Sequence, residues 1–147
     1  MKFGAGVADA KAGLESWSEP AGDGLRTAGA SVVFRSGTGK LELDALSTDG
    51  SALARQAGNW LAIAAKYVDD GGRAVFRADS STDVTWEHAS AGIELTAHTS
   101  SKDILEIFSD ATPASVSVDG KPIPIIYENK MIRVPLLLPG EHHVSIH

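Results

Sequence analysis

Apolar and polar residues alternate in short runs through the last third of the chain, and turn-forming residues separate the runs. Val116 and Val118 have serines as neighbours and are followed by the dipeptide Asp119-Gly120. Side chains of a strand point alternately to its two faces, so this pattern predicts strands with one buried face. Asp-Gly and Pro-Gly dipeptides are typical of turns between antiparallel strands. The strands predicted here are residues 104–108, 115–118, 123–127, 131–134 and 143–147.

Two predicted hairpins lie upstream of that region. Turns are predicted at residues 37–40 and 89–92, where glycine interrupts apolar runs. The strands that these turns would join are residues 32–34 with 41–43, and residues 84–87 with 93–97.

Residues 51–68 fit two different structures. They could form two helices, which would make the chain a small α/β protein. Alternatively, Gly71-Gly72 could close a hairpin between strands at residues 61–68 and 73–78. Gly58-Asn59 interrupts the helical pattern, and the rest of the chain is rich in predicted strands. We therefore expect the hairpin and keep the helical structure as an alternative.

The predicted strands number about ten, at the spacing that is typical of a two-sheet protein. The expected fold is all-β, an antiparallel β-sandwich of the immunoglobulin-like or jelly-roll-like kind. Residues 1–30 are rich in glycine and alanine and are predicted to be an irregular lead-in. Residues 31–147 would form the single sandwich domain.

Charge and composition exclude some classes of partner. The net charge is −6 and the basic residues are scattered, whereas a nucleic-acid surface needs clustered Lys and Arg. No apolar run reaches the length of about 18 residues that a membrane-spanning helix needs. The chain has no cysteine, so disulfides and a thiol nucleophile are excluded. We expect no nucleic-acid partner and no membrane partner.

The start of the sequence bears on localisation. Met1-Lys2 is not followed by the apolar segment of a signal peptide. The chain would then be either cytosolic or a piece of a longer protein.

Four segments in the last third of the chain favour the second of these. They are Ile104-Leu105-Glu106-Ile107-Phe108-Ser109, the run from Pro113 to Lys121 that contains Val116-Ser117-Val118-Asp119-Gly120, Met131-Ile132-Arg133-Val134-Pro135, and Pro139-Gly140-Glu141-His142-His143-Val144. Together these segments resemble the C-terminal β-sandwich modules of bacterial glycoside hydrolases and polysaccharide lyases. The resemblance implies a non-catalytic, extracellular accessory module within a longer secreted protein.

A glycan-binding module needs aromatic faces, because sugar rings stack on them while polar neighbours bind the hydroxyls. Trp86 is the foremost candidate, with Glu87 and His88 beside it as polar groups. The alternative is that Trp86 belongs to the core, since the apolar positions of a sandwich strand normally face inward. The remaining aromatic candidates are Trp60, Trp17, Tyr67 and Tyr127.

Metal binding has weaker support in the sequence. Asp69-Asp70, or Asp79 with Asp83, could contribute oxygen ligands to a structural Ca²⁺, but neither pair has the spacing of a calcium loop. His143 and His147 would share one strand face without a third ligand at fixed spacing. We predict no metal ligand and no cofactor.

Catalytic motifs are absent as well. The chain contains neither a Gly-x-Ser-x-Gly elbow nor a His-Glu-x-x-His pair. The sequence therefore predicts a protein that is not an enzyme and that binds a polysaccharide or oligosaccharide, with a catalytic domain of the parent chain as a further partner. A purely structural sandwich remains an alternative; it requires buried tryptophans and an apolar face that packs against a catalytic neighbour.

Overall fold

The computed structural model describes residues 13–147, which form fifteen antiparallel strands and no helix. The strands are β1 (Glu15–Glu19), β2 (Gly22–Arg26), β3 (Ala30–Arg35), β4 (Leu41–Leu43), β5 (Leu46–Thr48), β6 (Ala52–Gln56), β7 (Asn59–Asp70), β8 (Arg73–Ala89), β9 (Gly92–Thr99), β10 (Asp103–Phe108), β11 (Val116–Val118), β12 (Lys121–Pro122), β13 (Tyr127–Glu128), β14 (Met131–Leu136) and β15 (Gly140–Ile146). The all-β antiparallel prediction is confirmed, with more strands than expected.

Two long strands, β7 and β8, belong to both halves of the fold. The first half of β7 and the second half of β8 lie in an array of order β1-β2-β3-β6-β7-β8-β9-β15-β11-β12. The other halves lie in a second array of order β4-β5-β7-β8-β10-β14-β13. Trp60 in the first array touches Phe76 in the second, with ring centroids 6.4 Å apart. The β7–β8 hairpin is therefore folded over on itself, and the core lies between its halves.

The core follows the alternation that the sequence shows. Inward positions of both arrays are filled by branched aliphatic and aromatic side chains that are almost fully buried. Burying each of these side chains contributes about 1.5–3 kcal/mol. The largest fully buried ones are Phe76, Leu41, Leu43, Leu53, Leu95, Leu105, Ile107, Ile132 and Leu136.

The fold in the hairpin occurs where the pairing of β7 with β8 is irregular. The register shifts after Ala62 and again after Ala65, and Ala64 has a left-handed backbone with φ 53°. Backbone N–H groups that lose their strand partner at a bulge need another acceptor. Aspartate side chains provide it: Asp83 accepts from the N–H of Ala64 at 2.8 Å, and Asp49 accepts from the N–H of Lys66 at 2.9 Å.

An aspartate side chain also accepts backbone N–H groups of β8. Buried Asp103 accepts the backbone N–H of Asp79 at 2.9 Å and that of Ser80 at 3.2 Å. The hydroxyls of Ser80 and Thr82 also donate to this carboxylate. Three carboxylates thus hold the bend, that of Asp83 from β8 itself and those of Asp49 and Asp103 from outside the hairpin.

Several local predictions are confirmed. Residues 61–68 and 73–78 form the hairpin across Gly71-Gly72, and the helical alternative for residues 51–68 is wrong. Both glycines have positive φ, which suits the tight turn. The hairpin across residues 89–92 is confirmed too.

Other local predictions are corrected. Strand β3 does not pair with β4, so residues 37–40 are not a hairpin turn; β3 pairs with β2 and β6, and β4 pairs with β5. Residues 123–126 are irregular, and only Tyr127 of the strand predicted there is in β13. Pro122 precedes this segment and Pro124 lies within it, and neither has a backbone N–H to donate to a ladder.

The predicted lead-in also differs. Within it, Glu15–Glu19 and Gly22–Arg26 are the strands β1 and β2, which extend the first array; residues 1–12 lie outside the described residues. The Trp17 ring lies so close over Gly24 that a side chain at position 24 would collide with it. From residue 13 onward, the chain contains no helix long and apolar enough to cross a membrane.

Candidate functional site

A cavity of about 210 Å³ opens between the two arrays, at the end opposite the bend in the hairpin. We call it the end cleft. Both ends of β7 reach it, because the folding of the hairpin brings Trp60 and Asp70 to the same opening. The side chains that define it are Arg55, Trp60, Asp70, Arg73, Trp86 and His88.

The inner wall of the end cleft is a pair of tryptophans. Trp60 and Trp86 face each other across β7 and β8, with ring centroids 5.3 Å apart and planes inclined by 18°. Only 6% of Trp60 and 4% of Trp86 is exposed. One face of each ring is covered by the other ring and the rest of each side chain is almost fully buried, so neither forms the open platform that the sequence suggested for Trp86. Each contributes only its small exposed part to the cleft.

One polar atom in this wall is unsatisfied. The Nε1 of Trp86 is buried and has no hydrogen-bond acceptor among residues 13–147. Buried indole N–H groups normally have a partner, and leaving one unpaired costs about 1–3 kcal/mol.

Charged groups surround the opening. The Arg73 guanidinium lies over the Phe108 ring at 4.1 Å from its centroid and forms no ion pair with any described residue. Arg55, by contrast, is partnered by Asp44 at 3.6 Å. Asp70 is paired with Arg73 in strand register across the Gly71-Gly72 turn, and its carboxylate has no ion-pair partner in the described part of the chain.

Of the residues proposed from the sequence, the cleft brings together Trp60, Trp86 and His88. The His88 ring is 6.0 Å from that of Trp86, in an edge-on arrangement. The pattern of the sequence missed Arg55, Arg73 and Phe108. No local signal identifies Arg55 and Phe108, because they come from strands far apart in the chain. The sequence predicts the turn beside Arg73, but it does not show that Arg73 lies at the cleft.

The other proposed residues lie elsewhere. Trp17 is half-buried at the margin of the core, with the Arg26 guanidinium 5.2 Å from its ring. Tyr67 is covered by Arg77 at 5.1 Å, and Glu87 lines a different groove on the outer side of the first array. The hydroxyl of Tyr127 donates to the carbonyl of Ser109 at 3.0 Å.

That groove belongs to an apolar surface, the outer apolar face, which crosses strands β2, β3, β6 and β7. Leu25, Val32, Ala54 and Leu61 are direct cross-strand neighbours in one row. Phe34 lies beside the row and is 53% exposed, and Leu25 is 37% exposed. Because exposed apolar residues are contiguous here and not scattered singly, this surface is a candidate interaction site.

Four of the six candidate metal ligands, Asp69, Asp83, His143 and His147, have structural partners. Asp69 pairs with Arg77 at 2.7 Å, and Asp83 accepts the Ala64 N–H already described. His143 lies 3.0 Å and His147 3.7 Å from the carboxylate of Glu94. In the part of the chain that the structure describes, no three His, Asp or Glu side chains are placed to hold a metal ion.

His142 carries a testable pH dependence. Its Nδ1 is 2.8 Å from Asp119 and its Nε2 is 2.8 Å from the carbonyl of Leu138. Both partners are acceptors, so the doubly protonated ring is favoured, and the pKa of His142 is raised above 6.5 by the Asp119 hydrogen bond first and the Leu138 carbonyl second. The stabilisation is complete below the unfolded value and is lost as the pH rises through the folded pKa.

We expect the free energy of unfolding to fall as the pH rises above about 6.5 and through the raised pKa of His142, by less than about 1 kcal/mol because Asp119 is half exposed. The measurement is urea denaturation at each pH. The change should be absent in His142→Gln and retained in His98→Gln, a surface control; an unchanged slope in His142→Gln would assign the effect to other groups.

Comparison with known proteins adds no family to this description. No protein-family model matches the chain, and no curated protein matches it.

Proposed function

We propose that this chain is a non-catalytic accessory module of a secreted polysaccharide-acting enzyme, and that it binds a glycan in the end cleft. The observation that supports the proposal is the combination of a preformed cavity, a tryptophan wall and two charged side chains, Arg73 and Asp70, that have no ion-pair partner among residues 13–147. Binding sites for small ligands are typically preformed and combine apolar walls with a few fixed polar groups.

The chemistry of this lining suits a sugar. Every hydroxyl is both a donor and an acceptor, and the cleft supplies a donor in Arg73 and an acceptor in Asp70. The guanidinium is held over Phe108, which limits the entropy lost when it binds. The exposed parts of the tryptophans offer apolar contact to the C–H groups of a ring.

This mode differs from the stacking that the sequence favoured. Because Trp60 and Trp86 stack on each other and are almost fully buried, the glycan would touch only their small exposed parts and take its specificity from hydrogen bonds. Removing Arg73 should then weaken binding without disturbing the core.

Affinity electrophoresis against a panel of soluble polysaccharides tests the proposal. We expect one or more glycans to retard the chain, and Arg73→Ala to weaken binding about 10- to 150-fold, the value of one hydrogen bond to a charged group. Arg133→Ala is the matched control, since Arg133 is an exposed arginine of the second array that pairs with Glu106 at 3.5 Å. Equal loss in both variants, or no retardation by any glycan, would contradict glycan binding in the cleft.

The outer apolar face favours a second function, in which the module packs against the catalytic domain of its parent enzyme. A purely structural module requires buried tryptophans and an exposed apolar face. Both tryptophans of the cleft are buried, and Leu25 and Phe34 are exposed on the outer apolar face. Under this function, no glycan retards the chain. The folded chain should bind the apolar dye 8-anilinonaphthalene-1-sulfonate, and Phe34→Asp should reduce that binding; an equal signal from both would exclude the outer apolar face as the site.

A further inference from the structure

The size of the end cleft limits what it can hold. Its volume is about 210 Å³, against about 300–1,000 Å³ for ordinary ligand pockets. The inner wall is closed by the stacked tryptophans, which are almost fully buried. A continuous glycan chain would have to enter and leave such a site, whereas one terminal ring only has to enter.

The charges of the end cleft limit the kind of ring. Two arginines, Arg55 and Arg73, and two carboxylates, Asp70 and Asp110, line it. Arg55 is already paired with Asp44, and Asp110 lies 3.4 Å from the Lys130 amine. Positive and negative charges therefore balance in the cleft. A charged sugar would gain no net electrostatic attraction there, and it would still lose the free energy of its hydration.

The two charged groups that have no ion-pair partner in the described part of the chain stand on either side of one tight turn. Asp70 ends β7, Arg73 begins β8, and the two are direct partners in the register. A donor and an acceptor on neighbouring strands match two neighbouring hydroxyls of a sugar ring. The guanidinium directs several N–H donors into its plane, which the contact with Phe108 holds in place.

On these grounds we infer that the end cleft binds a single neutral sugar residue at the end of a glycan chain, with Arg73 donating to one hydroxyl and Asp70 accepting from another. The inference rests on the proposed function and narrows its ligand class. The Trp86 N–H is buried, so the sugar does not bind it directly. Its NMR signal should still respond to the sugar, because binding shifts the tryptophan wall slightly.

Chain-end binding is tested with one retarding polysaccharide, hydrolysed to fragments about ten times shorter and compared at equal mass. Shorter fragments offer about tenfold more ends, so the mass concentration for half-maximal binding should fall about tenfold. Free neutral monosaccharides should compete, whereas glucuronate and glucosamine should not. Asp70→Ala and Arg73→Ala should each weaken the competition at least about tenfold, and Arg133→Ala should leave it unchanged.

The indole signals of the three tryptophans give an independent readout by ¹H–¹⁵N correlation spectroscopy. Saturation with the competing monosaccharide should shift the Trp86 signal and leave that of Trp17, at the margin of the core, in place. If the glycan binds but fragment length has no effect, or a charged sugar competes better than neutral ones, the chain-end inference is wrong while glycan binding stands. If no glycan binds at all, the proposed function fails and the inference fails with it.

Discussion

Replacing Trp86 with alanine should destabilise the fold by about 3–5 kcal/mol, the range found when a large aromatic side chain is removed from a core. Trp86 is 4% exposed and stacks on Trp60, and Trp60 in turn contacts Phe76 across the core. The variant therefore loses the burial of an indole, an aromatic pair worth about 0.5–1.5 kcal/mol, and support for the opposite array. Urea denaturation monitored by circular dichroism measures the loss.

Phe34→Ala is the control for this prediction, because Phe34 is an aromatic residue of the same array that is 53% exposed. Its cost should be within about 1 kcal/mol. If Trp86→Ala were as mild as the control, the stacked pair would not be part of the core, and Trp86 would return as a candidate binding platform.

Asp103→Ala should cost about 3 kcal/mol or more, although it removes no apolar contact. Asp103 is 4% exposed and holds the irregular part of β8 through the N–H groups of Asp79 and Ser80. Hydrogen bonds to a charged group are worth about 1.5–3 kcal/mol each, and donors left buried without an acceptor add a desolvation cost. Because these bonds hold the bend, the variant should also lose cooperativity in unfolding.

Two further variants delimit this effect. Asp103→Asn retains one carbonyl oxygen as an acceptor and should fall between wild type and Asp103→Ala. Asp110→Ala removes an exposed aspartate and should change the unfolding free energy by no more than about 0.5 kcal/mol. Equal stability of Asp103→Ala and Asp110→Ala in urea would mean that the bend does not depend on the carboxylate.

The bend marks the boundary between what could and could not be predicted. The β7–β8 hairpin was expected from Gly71-Gly72, since the residues that define a tight turn are adjacent in sequence. The folding of that hairpin depends on Asp49, Asp83 and Asp103. Asp49 and Asp103 lie at least seventeen residues from the N–H groups they accept, and nothing local distinguishes such an aspartate from one in a solvated turn.

The candidate site shows the same division. The sequence identified Trp60, Trp86 and His88, but it could not tell whether the tryptophan rings were accessible. Period-two alternation predicts which side of the sheet a side chain lies on, but not which residues pack against it there. The tertiary structure stacked the two rings on each other. It also brought Arg55 and Arg73 to the same opening, which sequence separation alone does not reveal.

The sequence by itself thus determined the all-β class, most hairpins and the inward residues, since alternation and turn chemistry act between neighbours along the chain. Only the tertiary structure decided four features. These are the pairing of β4 with β5, the strands in residues 15–26, the bend in the β7–β8 hairpin and the end cleft. Strand pairing and satisfaction of buried backbone groups are settled by competition among all strands at once, and that competition involves residues far apart in the sequence.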